Sequence, residues 1–281
     1  MTDGDASPRI EIAHPSGARA QVYLQGAHVA RWTDPAGEEL LFVSERAKFE
    51  PGTAIRGGIP VVFPQFADQG PLPKHGFART AAWERVEAGT APDGAAFALL
   101  RLADDRATRE PWPHPFRAVL RVALYAETLE VALRVANTGE GTMAFTCALH
   151  TYFRVGDVRR AAVEGLAGVR YLDKVEAGAE RTEERETTVF AGETDRVYVD
   201  APDRLWIRDG ESGRTVVLEK RGFRDAVVWN PWEELAGRLP DLGDDEYLRM
   251  LCVEPANAVE PVHLPPGEEW TGTQRLTVQR V

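Results

Sequence analysis

Apolar and polar residues alternate with a period of two along much of the chain. Residues 128–135 read TLEVALRV, in which large apolar side chains alternate with small or charged ones. This period is typical of an antiparallel strand with one face in a core. It recurs in five further segments, at residues 19–24, 96–102, 118–125, 215–219 and 273–278. The pattern therefore predicts a fold made mainly of antiparallel strands.

The segments between these strands carry the turn residues Gly, Pro, Asp and Asn. Such clusters stand at residues 34–37, 91–94, 137–141 and 209–213, and short strands separated by them indicate a sandwich or barrel. Helical signal is limited to residues 231–236, which start with Pro, and 244–250, which start with acids. The acidic stretch 176–188 is expected to be a solvated loop or an edge strand. Without a repeat or linker, we expect one all-β domain over residues 1–281.

The length of 281 residues suits one large β domain, and the net charge is −11. A strongly acidic surface argues against nucleic acid and anionic membranes as partners. An anionic substrate would therefore need cations placed locally at its site. The first fourteen residues are polar and acidic rather than basic and then apolar, and there is no run of 18 apolar residues. We expect a cytoplasmic protein without a membrane span, and a monomer.

Motifs for metals and nucleotides are absent from the sequence. It holds no His-Glu-x-x-His, no Walker loop and no Gly-x-Gly-x-x-Gly. Its two cysteines, Cys147 and Cys252, are far apart and in no metal-ligand spacing. Free cysteines usually behave as small core residues, so both are expected to be separate buried thiols. The sequence predicts neither a cofactor nor a required metal.

Five short blocks are irregular where the rest of the chain is regular. They read Arg-Gly-Gly-Ile-Pro from Arg56, His-Gly-Phe-Ala-Arg from His75, His-Thr-Tyr-Phe from His150, Trp-Asn-Pro from Trp229 and Val-Glu-Pro from Val253. In this order the blocks resemble those of the glucose-6-phosphate 1-epimerases, or hexose-6-phosphate mutarotases, of the galactose mutarotase-like superfamily. The resemblance covers roughly residues 26–257. It implies an antiparallel β-supersandwich with one open cleft that interconverts the α and β anomers of a hexose 6-phosphate.

Mutarotation needs two groups that exchange protons near neutral pH. A base takes the proton of the anomeric hydroxyl while an acid protonates the ring oxygen, with no metal or redox cofactor. The resemblance assigns the acid to His150 and the base to Glu254. Glu254 ends the apolar run 250–253, so we expect it at the rim of a buried strand, where partial desolvation would raise its pKa. Read from local sequence alone, His150 could equally be a packed core histidine and Glu254 a carboxylate in an ion pair.

The resemblance also assigns residues to substrate binding. It places Arg56 and Arg79 on the phosphate, which suits the planar fork of a guanidinium. It places Asp195 on the sugar hydroxyls and His75 near the ring oxygen or the anomeric hydroxyl. Lys74 stands where the family commonly has Gln, so it could add a cation or alter sugar recognition. Surface ion pairs for the arginines and turn roles for His75 and Asp195 are the alternatives.

Two further functions and several side chains stay open at this point. The first function is an aldose mutarotase for unphosphorylated sugars, against which the two arginines argue. The second is a non-catalytic carbohydrate-binding protein, against which the acid–base pair argues. Trp229 and Trp232 could face a sugar or pack in the core. The remaining histidines are expected to be structural or exposed: His14, His28, His114 and His263.

Overall fold

Antiparallel ladders join the strands of a computed structural model that describes residues 7–280. Three sheets are assigned within that range. The smallest has the order β1 (Arg9–Ala13), β2 (Arg19–Tyr23), β3 (His28–Thr33). Residues 1–6 and 281, which the expected single domain includes, lie outside the described residues.

The largest sheet contains most of the strands that the alternation predicts. Its nine strands follow the order β14 (Thr187–Val189), β11 (Ala161–Glu164), β16 (Arg204–Asp209), β17 (Arg214–Arg221), β20 (Glu269–Arg280), β8 (Thr128–Asn137), β7 (Phe116–Leu124), β6 (Ala96–Ala103), β5 (Glu84–Thr90).

The third sheet has eight strands and carries the blocks of irregular sequence. Its order is β13 (Ala179–Thr182), β12 (Arg170–Asp173), β15 (Thr194–Tyr198), β18 (Asp225–Asn230), β19 (Met250–Leu264), β9 (Met143–Leu149), β4 (Val61–Val62), with β10 (Tyr152–Arg154) also paired to β19.

Helices are few and short in the described part of the chain. The expected helix after Pro231 is α2 (Trp232–Ala236), and residues 244–250 contain the 3₁₀ helix Glu246–Arg249. Sequence analysis did not predict α1 (Arg106–Arg109) or the 3₁₀ helix Val158–Arg160. The stretch 176–188 contributes β13 and the start of β14, which are edge strands of two different sheets. No helix within residues 7–280 has the length and apolarity needed to cross a membrane.

The eight-stranded sheet presents different side chains to its two faces. On β19, Leu251 and Val253 join the main core together with Leu218 and Leu276 of the nine-stranded sheet. Cys252 lies between them in sequence and belongs to a separate cluster. Because successive residues of a strand point to opposite faces, the face that carries Cys252 also carries Glu254. The core thus lies between the two large sheets, and Glu254 lies on the face away from it.

Candidate active site

Neighbouring strands of the eight-stranded sheet place a row of side chains on this outer face. Glu254 of β19 pairs in register with Val227 of β18, and Cys252 pairs with Trp229. Trp229 in turn pairs with Asp195 of β15. Residues directly opposite each other in a ladder have Cβ atoms about 5 Å apart. The sheet therefore brings Asp195, Trp229 and Glu254 together although they are distant in sequence.

His150 completes this row immediately after β9. Tyr152 pairs in register with Cys252, so His150, two residues earlier, comes opposite Glu254. Its Nδ1 lies 3.2 Å from Glu254 Oε1. The contact is not aligned as a hydrogen bond: His150 Nδ1 and Glu254 Oε2 both lack a hydrogen-bond partner among residues 7–280. Two buried titratable groups thus face each other with unused bonding capacity.

The position of Glu254 corrects the expectation of a strand-rim carboxylate. Glu254 lies inside β19, which continues to Leu264, and it is only 2 % exposed. The following positions of this face hold the small residues Ala256 and Ala258, which are buried as well. Burial raises the pKa of Glu254 well above its ordinary value, and the nearby Asp195 raises it further. A desolvated carboxylate of this kind is a stronger base than an exposed one.

The pKa of His150 is shifted in the opposite direction to that of Glu254. Burial lowers the pKa of this imidazole well below its usual value, and the positive charges of Arg79 and Arg56 lower it further. The ring stacks on Tyr152, with centroids 4.8 Å apart. His150 is therefore neutral at physiological pH in the protein without substrate. An anion beside the two guanidinium groups would offset part of this effect.

The segment that follows β3 forms one wall of the site. It holds Arg56 beside Gly57 and Gly58, whose φ angles are 113° and 60°. A Cβ on Gly58 would lie 2.3 Å from the carbonyl oxygen of Val29. A side chain at this position would clash with backbone, so glycine is required for the close approach that fixes Arg56 over the sheet.

Arg56 and Arg79 differ in how they are held. Arg56 donates from NH1 to the Tyr152 hydroxyl and from NH2 to Asp241 Oδ1, each at 3.0 Å. Arg79 donates from NH2 to the Lys74 carbonyl oxygen at 2.7 Å, and no carboxylate among residues 7–280 lies within 4 Å of it. The Nε atoms of both arginines are buried without a partner in the described chain. Both side chains are thus positioned with donors to spare, and within residues 7–280 Arg79 makes no direct ion pair although Asp241 and Glu254 act on its charge from further away.

His75 is held as a neutral hydrogen-bond donor. Its Nδ1 accepts from the Ala67 N–H at 3.3 Å, so the neutral ring carries its proton on Nε2. Burial lowers the pKa of His75, and His150 and Arg79 lower it further. Its backbone has φ 68°, a strained conformation for a residue other than glycine. Strain of this kind is typical of functional sites.

Lys174 is a further cation of the site, and no motif in the sequence points to it. Its Nζ lies 3.8 Å from Asp195 Oδ2 and 5.6 Å from the centroid of the Phe66 ring. Burial raises the pKa of Asp195, while Lys174 and Lys74 lower it. The acidic residue and the lysine therefore form a charged pair at the side of the cavity that faces β12.

All seven predicted site residues line one cavity of about 260 Å³. Trp229 lines it as well, whereas Trp232 packs against Tyr247 with ring centroids 5.5 Å apart. The other histidines do not reach it, and His28 is buried elsewhere with its pKa lowered to about 3 by desolvation. The cavity is lined by Arg56, Phe66, Lys74, His75, Arg79, His150, Lys174, Asp195, Val227, Trp229, Leu235, Leu239 and Glu254.

Three potential metal-ligating atoms also meet at the His150–Glu254 side of this cavity, one of them from a residue that does not line it. His150, Cys252 and Glu254 each offer one donor atom, and the three atoms lie within 4.8 Å of one another. Cys147 and Cys252 are both buried free thiols, as the sequence predicts.

The fold is that of a known class of isomerase. The chain belongs to the aldose 1-epimerase family, whose family model matches residues 8–277. This confirms the predicted enzyme class, the interconversion of sugar anomers, and does not favour a non-catalytic binding protein.

The names of individual relatives are more specific than the name of the family. A protein of Cenchrus ciliaris named “Putative glucose-6-phosphate 1-epimerase” is 44% identical over 265 residues, covering 92% of this chain and 80% of its own. The crystal structure of a “putative mutarotase” from Salmonella typhimurium superposes with a TM-score of 0.90 at 33% identity, covering 97% of this chain and 90% of that one. A galactose mutarotase-like protein from Lactobacillus casei shares the fold with a TM-score of 0.77 at 14% identity, over 97% and 100% of the two chains. The predicted all-β supersandwich is thereby confirmed.

Proposed function

We propose that the protein interconverts the α and β anomers of a D-hexose 6-phosphate, with glucose 6-phosphate as the leading candidate. The observation that carries this proposal is the content of one cavity. It holds a buried acid–base pair, His150 and Glu254, together with the two guanidinium groups of Arg56 and Arg79. Relatives named for glucose-6-phosphate 1-epimerase activity support the same substrate.

The proposed reaction uses the acid–base pair in two directions. Glu254 takes the proton from the anomeric hydroxyl, and His150 gives a proton to the ring oxygen as the bond between C1 and that oxygen breaks. The C1–C2 bond of the free aldehyde then rotates. Ring closure reverses both proton transfers on the other face of C1. No electrons leave or enter the sugar, and no covalent bond to the protein is needed.

The phosphate has a second role in this proposal. Arg79 and Arg56 lower the pKa of His150 when the cavity is empty of anions. A bound phosphate dianion would offset both positive charges and let the pKa of His150 rise toward the range in which it serves as an acid. Binding of the correct substrate would thus prepare the acid. Unphosphorylated glucose brings no such anion, so the pKa of His150 would stay low and the ring would rarely carry the proton that it has to donate.

The remaining cavity residues are proposed to orient the sugar ring. Asp195 accepts hydrogen bonds from vicinal hydroxyls, and His75 donates from Nε2 to an oxygen near C1. Lys74 and Lys174 supply further positive charge, and Trp229 offers a ring face. We also propose that the chain acts as a single domain, as a monomer and in the cytoplasm, where its two free thiols would stay reduced.

The test compares two substrates in exchange NMR, which measures interconversion of α and β anomers at equilibrium. The wild-type protein should exchange glucose 6-phosphate at least about 10-fold faster than glucose at equal concentration, since one charge-assisted hydrogen bond to phosphate is worth about 1.5–3 kcal/mol. Prior dialysis against a chelator should leave the rate unchanged. Equal rates for the two sugars would favour the plain aldose mutarotase, and a rate that returns only with added divalent ion would contradict the mechanism.

A further inference from the structure

Cys252 lies beside the acid–base pair, yet the proposed chemistry gives it no role. It is two residues before Glu254 on β19, on the same face of the sheet, and it is fully buried. It packs in a cluster with Phe42, Tyr152 and Met250. Its sulfur, His150 Nδ1 or Nε2, and a Glu254 oxygen lie within 4.8 Å of one another.

The geometry of this trio approaches that of a tetrahedral metal site. Zinc bonds to nitrogen and oxygen at about 2.0–2.1 Å, which separates two such ligands by about 3.3 Å along one edge of a tetrahedron. The observed separation of His150 Nδ1 and Glu254 Oε1 is 3.2 Å. The Cys252 sulfur lies within 4.8 Å of both atoms, so modest side-chain movement would bring it to a zinc–sulfur bond of about 2.3 Å. The ligand types also match, because thiolate, imidazole and carboxylate are the groups that hold zinc in proteins.

Unsatisfied polar atoms provide a second, independent indication. His150 Nδ1 and Glu254 Oε2 are buried without a hydrogen-bond partner in residues 7–280. The residues themselves are 8 % and 2 % exposed. Buried polar groups are normally paired, and those that are not require an explanation. Coordination to a cation would satisfy Nδ1, and a carboxylate that binds with both oxygens would satisfy Oε2 as well.

We propose that His150, Cys252 and Glu254 bind Zn²⁺, and that the bound ion inhibits the enzyme by occupying its acid–base pair. The inhibition rests on the proposed function, whereas the binding does not. On binding, the Cys252 thiol loses its proton to solvent and its sulfur forms a bond to the metal. Thiolate and carboxylate together then balance the ion's two charges, which limits repulsion from Arg56 and Arg79. A fourth position stays open toward the cavity, where water, chloride or a phosphate oxygen could bind.

The experiment uses Co²⁺ as a spectroscopic probe and Zn²⁺ as the inhibitor, both on the full chain. Wild type should bind one Co²⁺ with a thiolate-to-metal charge-transfer band in the near ultraviolet, and excess Zn²⁺ should displace it. Zn²⁺ should also inhibit anomer exchange reversibly. In Cys252→Ala the band should vanish, and the Zn²⁺ concentration for half-inhibition should rise at least about 10-fold, since even outer-shell partners contribute about 10–100-fold to metal affinity. Anomer exchange without metal should stay within about twofold of wild type, because truncating this thiol removes no proton-transfer group.

Cys147→Ala is the matched control, because Cys147 is also a buried free thiol. It lies in the main core rather than beside the acid–base pair, and Cys147→Ala should keep both the band and the inhibition. Cys252→Val serves as a second variant if the alanine variant folds poorly. No charge-transfer band in wild type, or equal Zn²⁺ inhibition in wild type and both Cys252 variants, would overturn the proposal. If the protein proved inactive on hexose 6-phosphates, the Co²⁺ band would still decide the metal site.

Discussion

Glu254→Gln and His150→Asn should each slow the exchange of glucose 6-phosphate anomers by about 10²–10⁴-fold, the usual contribution of one proton-transfer group. Glu254→Gln keeps the size and polarity of its side chain, His150→Asn leaves a smaller polar group, and both changes remove the ability to exchange a proton. The double variant should lose less than the product of the single losses, because the two groups act as a unit. Exchange NMR on purified, folded variants measures all three rates.

The pH dependence provides a check on the role of Glu254. Burial and Asp195 raise its pKa well above the ordinary 4.5, so the basic form is lost at a higher pH than for an exposed glutamate. As pH falls through that raised pKa, kcat/KM of wild type should fall, and this limb should be missing in Glu254→Gln. His114→Asn, which changes a histidine outside the cavity, should be unaffected. A folded His150 or Glu254 variant with near-normal turnover would remove that residue from its assigned role.

Arg79→Ala should weaken the use of glucose 6-phosphate by about 10–100-fold, since a charge-assisted hydrogen bond to phosphate is worth about 1.5–3 kcal/mol. Arg56→Ala should have an effect of the same order. The slower mutarotation of free glucose should barely change in either variant, because that sugar offers no phosphate. The measurement is kcat/KM for both sugars in wild type and in each variant. A chain of net charge −11 repels a dianion, so these focused cations are needed for it to bind.

The comparison of two sugars separates a binding role from a folding role. Arg56 also bonds to Asp241 and Tyr152, so its loss could disturb the site, whereas Arg79 has no such tie to a side chain within residues 7–280. Arg79→Lys should recover part of the lost activity, because it restores the charge without the planar fork. Arg204→Ala, at an exposed ion pair with Glu219 on the nine-stranded sheet, is the control. Parallel losses on both sugars would contradict the sugar-phosphate assignment.

Much of the fold could be predicted from the sequence, because half-buried strands show an alternation of apolar and polar residues. All six segments selected for their period of two are strands, and residues 128–135 fall inside β8. The convergence of the site residues was expected only through the resemblance to a family. The structure adds the physical reason: the register places Asp195, Trp229 and Cys252 in one row, and Glu254 lies two residues further along the same face of β19.

Other parts of the site carry no signal in the local sequence. Asp241 accepts a hydrogen bond from Arg56 across a separation of 185 residues. The sequence around either residue does not indicate that the two are in contact. Lys174 comes directly after β12, and nothing in the neighbouring sequence marks it as a site residue. Its place in the cavity is shown only by the contacts with Phe66 and Asp195. The local sequence understates the burial of Glu254, because only small residues follow it on the same face of β19. Such residues look like a strand end in sequence while still being covered in the fold.

The central claim is that phosphate lies at Arg56 and Arg79 while C1 of the sugar lies at His150 and Glu254. A crystal structure of Glu254→Gln with glucose 6-phosphate tests this most directly, since slowed turnover leaves the substrate in place. Phosphate oxygens should lie within hydrogen-bond distance of both guanidinium groups. The anomeric oxygen and the ring oxygen should lie beside His150 and the substituted side chain of Glu254→Gln. A sugar phosphate bound with its phosphate away from both arginines, or with C1 remote from His150, would contradict it.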